Sequence, residues 1–426
     1  MSFTISLLFI SFAVFLILNI PIAVALGLAT SAVVLTSDLP LTLVVQRIFA
    51  SNDNFPLMAI PFFMLAGTIM TRGGVSKRLV AFADSLVGWL TGGLGIVATL
   101  AGMFFAAISG SSAATTAAIG PILFPEMEKR GYNRDFAAAI VAAAGETGII
   151  IPPSVTMVVY GVIAGVSIGD LFLGGFGPGI LMGLSMAALI YFVSKKYNYG
   201  GTKWAGFSNV WKTFVQSIWG LLMPVIILGG IYGGIFTPTE AAAVAVVYGL
   251  FVGFFIYKEL KISDLPKIVE DSVKSTAVVM FIMDAAGLFS WIITSHQVPV
   301  ILANYFVSLT NNPTTILMLI NILLLIVGCF LNASAAITIL APILVPVVTQ
   351  MGIDPVFFGV LMTVNLAIGT ITPPVGVDLF VATTIANISL ERISKAIVGF
   401  LIVLIIDLII VTYVPDIIMW LPNMVK

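Results

Sequence analysis

The sequence predicts an all-α polytopic membrane protein built as an inverted repeat, with two re-entrant hairpins and two unwound helices. Three observations carry this. The chain of 426 residues is 60% hydrophobic and only 9% charged, against roughly 25% charged in an ordinary globular protein. Its mean hydropathy is +1.17. Its middle and its later part match each other in register, and the basic residues of the two copies alternate in a way that turns one copy upside down.

A helix needs about 20 apolar residues to cross a bilayer. Spans are expected at 20–37, 55–71, 135–164, 171–194, 217–235, 239–257, 276–293, 356–386 and 397–414, with 3–18 as a short candidate. Met1-Ser2-Phe3-Thr4 lacks the basic start of a cleaved signal peptide, so 3–18 counts as structure. Two further apolar stretches, about 90–124 and about 313–346, are interrupted near their middles by Ser109-Gly110-Ser111-Ser112 and by Leu331-Asn332-Ala333-Ser334. Each is either one span or a hairpin that enters and returns on the same side. Stretches 38–54, 72–88, 258–274 and 294–312 read as surface or amphipathic connectors.

A shift of 221 residues lays Pro121-Ile122-Leu123-Phe124-Pro125 on Pro342-Ile343-Leu344-Val345-Pro346. It also lays Gly131 on Gly352, Gly148 on Gly369, and Pro152-Pro153 on Pro373-Pro374, without a gap. With one inserted residue, Ala164-Gly165-Val166-Ser167 meets Ala386-Asn387-Ile388-Ser389. Apolar matches arise cheaply in such a composition, whereas prolines and glycines in register do not. The chain therefore divides into a first repeat with its cytoplasmic linker, 1–212, and a second, 213–426. The first holds a hairpin at about 90–124 and a broken helix at about 135–164. The second holds a hairpin at about 313–346 and a broken helix at about 356–386.

Charge sets the orientation. Segment 126–135 carries Lys129, Arg130 and Arg134, while its counterpart 347–355 carries no Lys or Arg. At the other end 165–170 has none, whereas 387–395 has Arg392 and Lys395. Positive residues favour the cytoplasmic side, so the copies are inverted. Treating both interrupted stretches as hairpins places 16 of the 18 basic residues inside, with Arg47 and Lys426 outside. Both termini then face the periplasm.

Several functions are excluded. One cysteine, Cys329, gives no disulfide framework, and one histidine, His296, gives no histidine metal site. No G-x-x-x-x-G-K-[ST] run binds a nucleotide phosphate. A net charge of −1 argues against nucleic acid. Ser109-Gly110-Ser111 suggests an intramembrane serine protease only if a base stands near, and His296 falls in an outer loop. No catalytic residue is expected.

Interrupted helices at matching positions of an inverted repeat point to a secondary transporter. One pair of breaks is the two hairpin tips. The other is Gly145-Glu146-Thr147-Gly148-Ile149-Ile150-Ile151-Pro152-Pro153 and Ile368-Gly369-Thr370-Ile371-Thr372-Pro373-Pro374. Adjacent prolines inside a span must unwind it. Freed carbonyls at bilayer depth then need a partner. A monovalent cation, helped by Ser, Thr and Asn oxygens, satisfies them, while helix N-termini begun by Ser or Thr suit an anion. Glu146, Asp284, Asp378 and Asp407 lie in apolar stretches, where acids are functional candidates. Asp284 and Asp407 are expected to pair or sit at helix interfaces.

The tip Ser109-Gly110-Ser111-Ser112-Ala113, the run Gly145 to Ser154 and Gly369-Thr370-Ile371-Thr372-Pro373-Pro374-Val375-Gly376 resemble the large membrane subunit of tripartite ATP-independent periplasmic (TRAP) transporters. The likeness covers essentially the whole chain. It implies an elevator-type, sodium-coupled importer in the bacterial inner membrane. It also implies two partners, a small four-helix membrane subunit and a periplasmic binding protein that delivers an organic acid. The wider ion transporter superfamily implies one sodium site at Ser109, Gly110, Ser111 and Ser112 with Gly145, Glu146 and Thr147. It implies a second at Gly328, Asn332 and Ser334 with Gly369, Thr370 and Thr372. Pro152, Pro153, Pro373 and Pro374 break the helices, and Ser154 and Asp378 are candidates for substrate or coupling. The chain looks nearer the sialic-acid type than the C4-dicarboxylate type. Two other functions stand beside this one: a self-sufficient antiporter or anion transporter of the superfamily, and a non-transporting membrane scaffold. A scaffold leaves the paired breaks unexplained, and an antiporter favours a buried carboxylate pair.

Overall fold

A computed structural model describes residues 3–18, 20–37, 39–40, 42–309 and 312–425, without the side chains at 303 and 306–309. Met1, Ser2, Asn19 and Lys426 lie outside the described residues, which are helical with no strand among them. The first half runs α1 (Phe3–Ile17), α2 (Ile22–Leu35), α3 (Thr42–Asn52), α4 (Ala59–Arg72), α5 (Val75–Val87), α6 (Gly93–Ser109), α7 (Ser112–Lys129), α8 (Arg134–Glu146), α9 (Val155–Ala164) and α10 (Ile168–Tyr197). The second runs α11 (Phe207–Tyr232), α12 (Pro238–Phe251), α13 (Leu265–Ser295), α14 (Val298–Leu309), α15 (Pro313–Gly328), α16 (Ala333–Gln350), α17 (Pro355–Thr370), α18 (Val377–Ala386), α19 (Leu390–Ala396), α20 (Val398–Tyr413) and α21 (Asp416–Val425).

Six helices among the described residues are long and apolar enough to cross a membrane, and a seventh if α19 and α20, bent by 53°, form one span. The expected spans at 135–164 and 356–386 are each split in two, as the proline pairs require. All four expected connectors carry helix, and 38–54 holds α3. Segments 72–88 and 294–312 fold largely as α5 and α14. Segment 258–274 is mostly not a connector: its later part is the start of α13, a single helix of 31 residues that continues through the expected span 276–293. Its only proline, Pro266, stands in the first turn, where the missing N–H costs nothing.

The repeat is written in the helix ends. Asn133 and Asp354, 221 residues apart, cap α8 and α17, each accepting from the backbone N–H groups two and three residues on. Ser111 and Asn332, again 221 apart, cap α7 and α16, accepting from Ala114 and Ala335. Gly131 and Gly352 both hold positive φ, 80° and 77°, before those caps. A side-chain acceptor at such a position stabilises a helix by about 1 kcal/mol.

Four contacts show that the two broken helices run antiparallel. Arg134, at the start of α8, donates Nε and Nη2 to the carbonyl of Ala386 at the end of α18, at 2.8 and 2.7 Å. Arg392 pairs with Asp135 at 2.8 Å on the same end. At the opposite end Tyr160 of α9 donates its hydroxyl to the carbonyl of Pro355, the first residue of α17, at 2.7 Å. The halves also interdigitate: α18 packs on α7 and α8, while α9 packs on α16 and α17.

Candidate functional site

The two hairpins, α6–α7 and α15–α16, meet the unwound stretches tip to break. Val155 donates its N–H to the carbonyl of Gly110 at 3.2 Å, and Gly376 donates to Cys329 at 3.2 Å. The donors Val155 and Gly376 are 221 residues apart and the acceptors Gly110 and Cys329 are 219 apart, so a like strut is built twice with its acceptor displaced by two residues. Both proline pairs, Pro152-Pro153 and Pro373-Pro374, are joined by cis peptides.

At the first tip α6 ends on Ser109, and Gly110 turns the chain with φ 64°. That left-handed turn is where glycine is needed. The Ser109 hydroxyl lies 2.8 Å from Thr115 Oγ1, and Thr115 donates to the carbonyl of Ser111 at 2.9 Å. Gly148 fits here because a Cβ on it would stand 2.5 Å from both the Ser111 carbonyl and Thr115 Oγ1. Gly145 likewise admits Thr116, whose Oγ1 would lie 1.8 Å from an added Cβ. Ser109, Gly110, Ser111, Ser112, Gly145 and Gly148 are thus brought together. Thr115 and Thr116 join them. Thr115 follows Ser111 by four residues, and helical spacing placed it on the tip's face.

Glu146 and Thr147, which follow Gly145 at the end of α8, stand in different surroundings. Thr147 donates its hydroxyl to the carbonyl of Ala144 at 2.8 Å, within its own helix end. Glu146 is fully buried, and neither carboxylate oxygen has a hydrogen-bond partner, so it makes no bond to a tip hydroxyl. Ser154 is also fully buried. It donates to the carbonyl of Ile149 at 2.6 Å and accepts from Met157 N–H at 3.3 Å, which makes it the cap of α9.

At the second tip Gly328 and Gly369 touch backbone to backbone. A Cβ on Gly369 would lie 2.5 Å from Gly328 Cα. Asn332 caps α16 through Ala335 N–H at 2.8 Å, and the carbonyl of Ser334 accepts from Thr338 at 2.7 Å. Thr372 donates to the carbonyl of Ile368 at 2.7 Å, and Thr370 donates to Asp378 at 2.8 Å. The expectation that Ser or Thr begins each distal half-helix holds for α9 but not for α18, which starts from Gly376 without a side-chain cap. Asp378 stands in the first turn of α18, fully buried. An apolar cleft of about 1460 Å³ opens beside this tip, lined by Phe12, Ile20, Phe281, Phe330, Asn332 and Val375 among others.

The remaining intramembrane acids hold local partners. Asn52 donates to Asp284, and Ser185 to Asp407. His296 ends α13 with Nδ1 against Ser295 and the carbonyl of Ile292, within its own helix end. Among the described residues no group of three His, Cys, Asp or Glu could hold a metal ion.

Paired hairpins wedged against antiparallel broken helices define a membrane transporter permease. Residues 9–417 match the family model described as tripartite ATP-independent periplasmic transporter, DctM component, and the chain belongs to that family. It is 49% identical to the isethionate TRAP transporter permease protein DctMQ of Oleidesulfovibrio alaskensis over 96% of this chain, spanning 65% of that protein's length. It is 45% identical to the C4-dicarboxylate TRAP transporter large permease protein DctM of Pseudomonas aeruginosa, over 88% of each chain. It is 39% identical to the sialic acid TRAP transporter large permease protein SiaM of Vibrio cholerae, over 93% of each. In architecture it is similar to the Alcanivorax borkumensis YdaH transporter, with a TM-score of 0.61 at 13% identity over 84% of this chain and 85% of that one.

Proposed function

We propose that the chain is the translocation subunit of a sodium-coupled importer of a small organic acid in the bacterial inner membrane. The single observation that carries this is the strut built twice, Val155 to Gly110 and Gly376 to Cys329. Each strut joins a hairpin tip to unwound backbone, so an ion bound at either junction locks tip to break. The first sodium site uses Ser109, Gly110, Ser111 and Ser112 with the backbone of Gly145 to Thr147. The second uses Gly328, Asn332, Ser334, Gly369, Thr370 and Thr372. In both, carbonyls freed by the prolines supply oxygens that water cannot reach to replace.

The repeats 1–212 and 213–426 sit upside down relative to each other. The hairpin-bearing core slides as an elevator, and both termini face the periplasm. The relatives named for isethionate, C4-dicarboxylate and sialic acid support a small carboxylate or sulfonate as substrate. The two named for the smaller acids share more identity with this chain than the sialic-acid relative does, which weakens the preference for N-acetylneuraminate. A small membrane subunit widens the fixed wall, and a periplasmic binding protein delivers the acid.

Liposomes containing the chain alone, the chain with the small subunit, or all three components test this under an imposed sodium gradient. Uptake of succinate, isethionate or N-acetylneuraminate is expected only with all three. Sodium-driven accumulation by the single chain favours the self-sufficient transporter instead.

A further inference from the structure

Orphaned oxygens stand on three helices packed together behind the first tip. Glu146 Oε1 and Oε2, Thr116 Oγ1 and Asp378 Oδ1 are all buried without a hydrogen-bond partner. Glu146, Thr116 and Asp378 are each 0% exposed. They come from three elements packed together, α8, α7 and α18. Thr116 Oγ1 lies against Gly145, and the Ser112 carbonyl would stand 3.2 Å from a Cβ there. The Ser112 hydroxyl faces the Asp378 carboxylate. The charged groups that act on Glu146 are Asp378 and Asp407, both acidic. No lysine or arginine pairs with Glu146 or Asp378 among the described residues.

The two acids differ in what already supports them. Asp378 lies in the first turn of α18, where the helix dipole favours an anion, and Thr370 donates to it. Glu146 is the last residue of α8, at the negative end of that helix. A buried carboxylate with no donor, at the wrong end of a dipole, stays ionised only with a cation beside it and otherwise takes up a proton.

We propose that Glu146, Thr116 and Asp378 bind one monovalent alkali cation at the C-terminal end of α8, through side chains that neither tip site uses. This rests on the sodium-coupled reading above, and it takes Glu146 out of the first tip site. The cation bridges α8 of one repeat to α18 of the other and lies under Ser112. A hairpin whose tip is ordered by its own sodium would close over it.

The test is the stability of the purified full chain in lipid nanodiscs, titrated with sodium chloride against choline chloride at constant ionic strength. The gain per tenfold rise in sodium is proportional to the number of ions held by the folded form. The wild-type chain should show a gain corresponding to three ions. Glu146→Gln and Asp378→Asn should each lower it by about a third, and Glu146→Gln should be the more stable of the two proteins when sodium is absent. Ser111→Ala and Thr372→Val report the tip sites separately. Their slopes can drop while that of Glu146→Gln does not, which overturns this site and leaves the tip reading standing. The reverse pattern overturns the tip sites and keeps this one. A wild-type gain of two ions or fewer overturns the proposal without any variant, as does a slope unchanged in both acid variants.

Discussion

The two hairpin–break units share one blueprint and differ in how they are sealed. In the first, every residue from Thr147 to Ser154 is buried, and hydroxyls of Ser109, Thr115 and Ser154 tie the tip and break to carbonyls. In the second, Thr372, Pro373, Pro374 and Val375 are partly exposed, Phe330 is 55% exposed, and contact rests on the Gly328–Gly369 crossing. The backbone is shared, while the first break is fully buried and the second lies partly open beside an apolar cleft. Backbone geometry is thus the shared requirement, and sealing is what each copy adjusts.

The largest effect should come from the crossing itself. Gly369→Val places side-chain atoms against the Gly328 backbone, which cannot rotate away. Overpacking of this kind costs about 1–3 kcal/mol, and sodium-driven uptake should fall at least tenfold (an order-of-magnitude expectation from that strain). Gly148→Val tests the same demand in the first unit, against the Ser111 carbonyl. Normal uptake by either variant would show that close backbone approach is not what the two units have in common.

Next come the tip caps. Asn332→Ala removes the acceptor for Ala335 N–H, and Ser111→Ala the acceptor for Ala114 N–H. Each should lower stability by about 1 kcal/mol. The second tip has fewer polar contacts in reserve, so Asn332→Ala should raise the sodium concentration for half-maximal uptake more than Ser111→Ala does. Thr372→Val should act in the same direction. If Asn332→Ala and Thr372→Val both leave the sodium dependence unchanged, the second site lies elsewhere.

The smallest effect is expected at Thr147. The first site takes Thr147 through its backbone while its hydroxyl donates to the Ala144 carbonyl, so Thr147→Val, which keeps that backbone, should leave sodium activation within about twofold, the change that a few tenths of a kcal/mol gives. A large loss of sodium affinity would return Thr147 to the ligand set and make the first unit resemble the second.

Much of this was legible in the sequence because it depended on residues that restrict the backbone. Proline pairs and in-register glycines located both hairpins, both breaks and the repeat. Helix caps at Asn133 and Asp354 follow from local chemistry that survives a change of residue type. What the sequence hid was three-dimensional. The charged stretch 265–274 resembled a connector because four of its charged side chains pair with one another and with Arg72 along the start of α13. Thr115 and Thr116 carry no mark of a site in the sequence, and only the fold turns them toward Gly148 and Gly145. Glu146 sits between two candidate ligands in the chain, yet its buried carboxylate has no hydrogen-bond partner at the first tip and feels the charge of the second repeat's Asp378. Helix rotation decides that, and an unwound segment has no period from which to read it.

The central claim is that the two units are one unit inverted across the membrane. Impermeant thiol labelling tests it most directly. In a Cys329→Ala background, which removes the one native cysteine, Lys129→Cys and Gln350→Cys place single thiols at exposed ends of α7 and α16, 221 residues apart. Lys129→Cys should react only from the cytoplasmic face, and Gln350→Cys only from the periplasmic face. Labelling of both from the same face would contradict the inversion and the transport mechanism built on it.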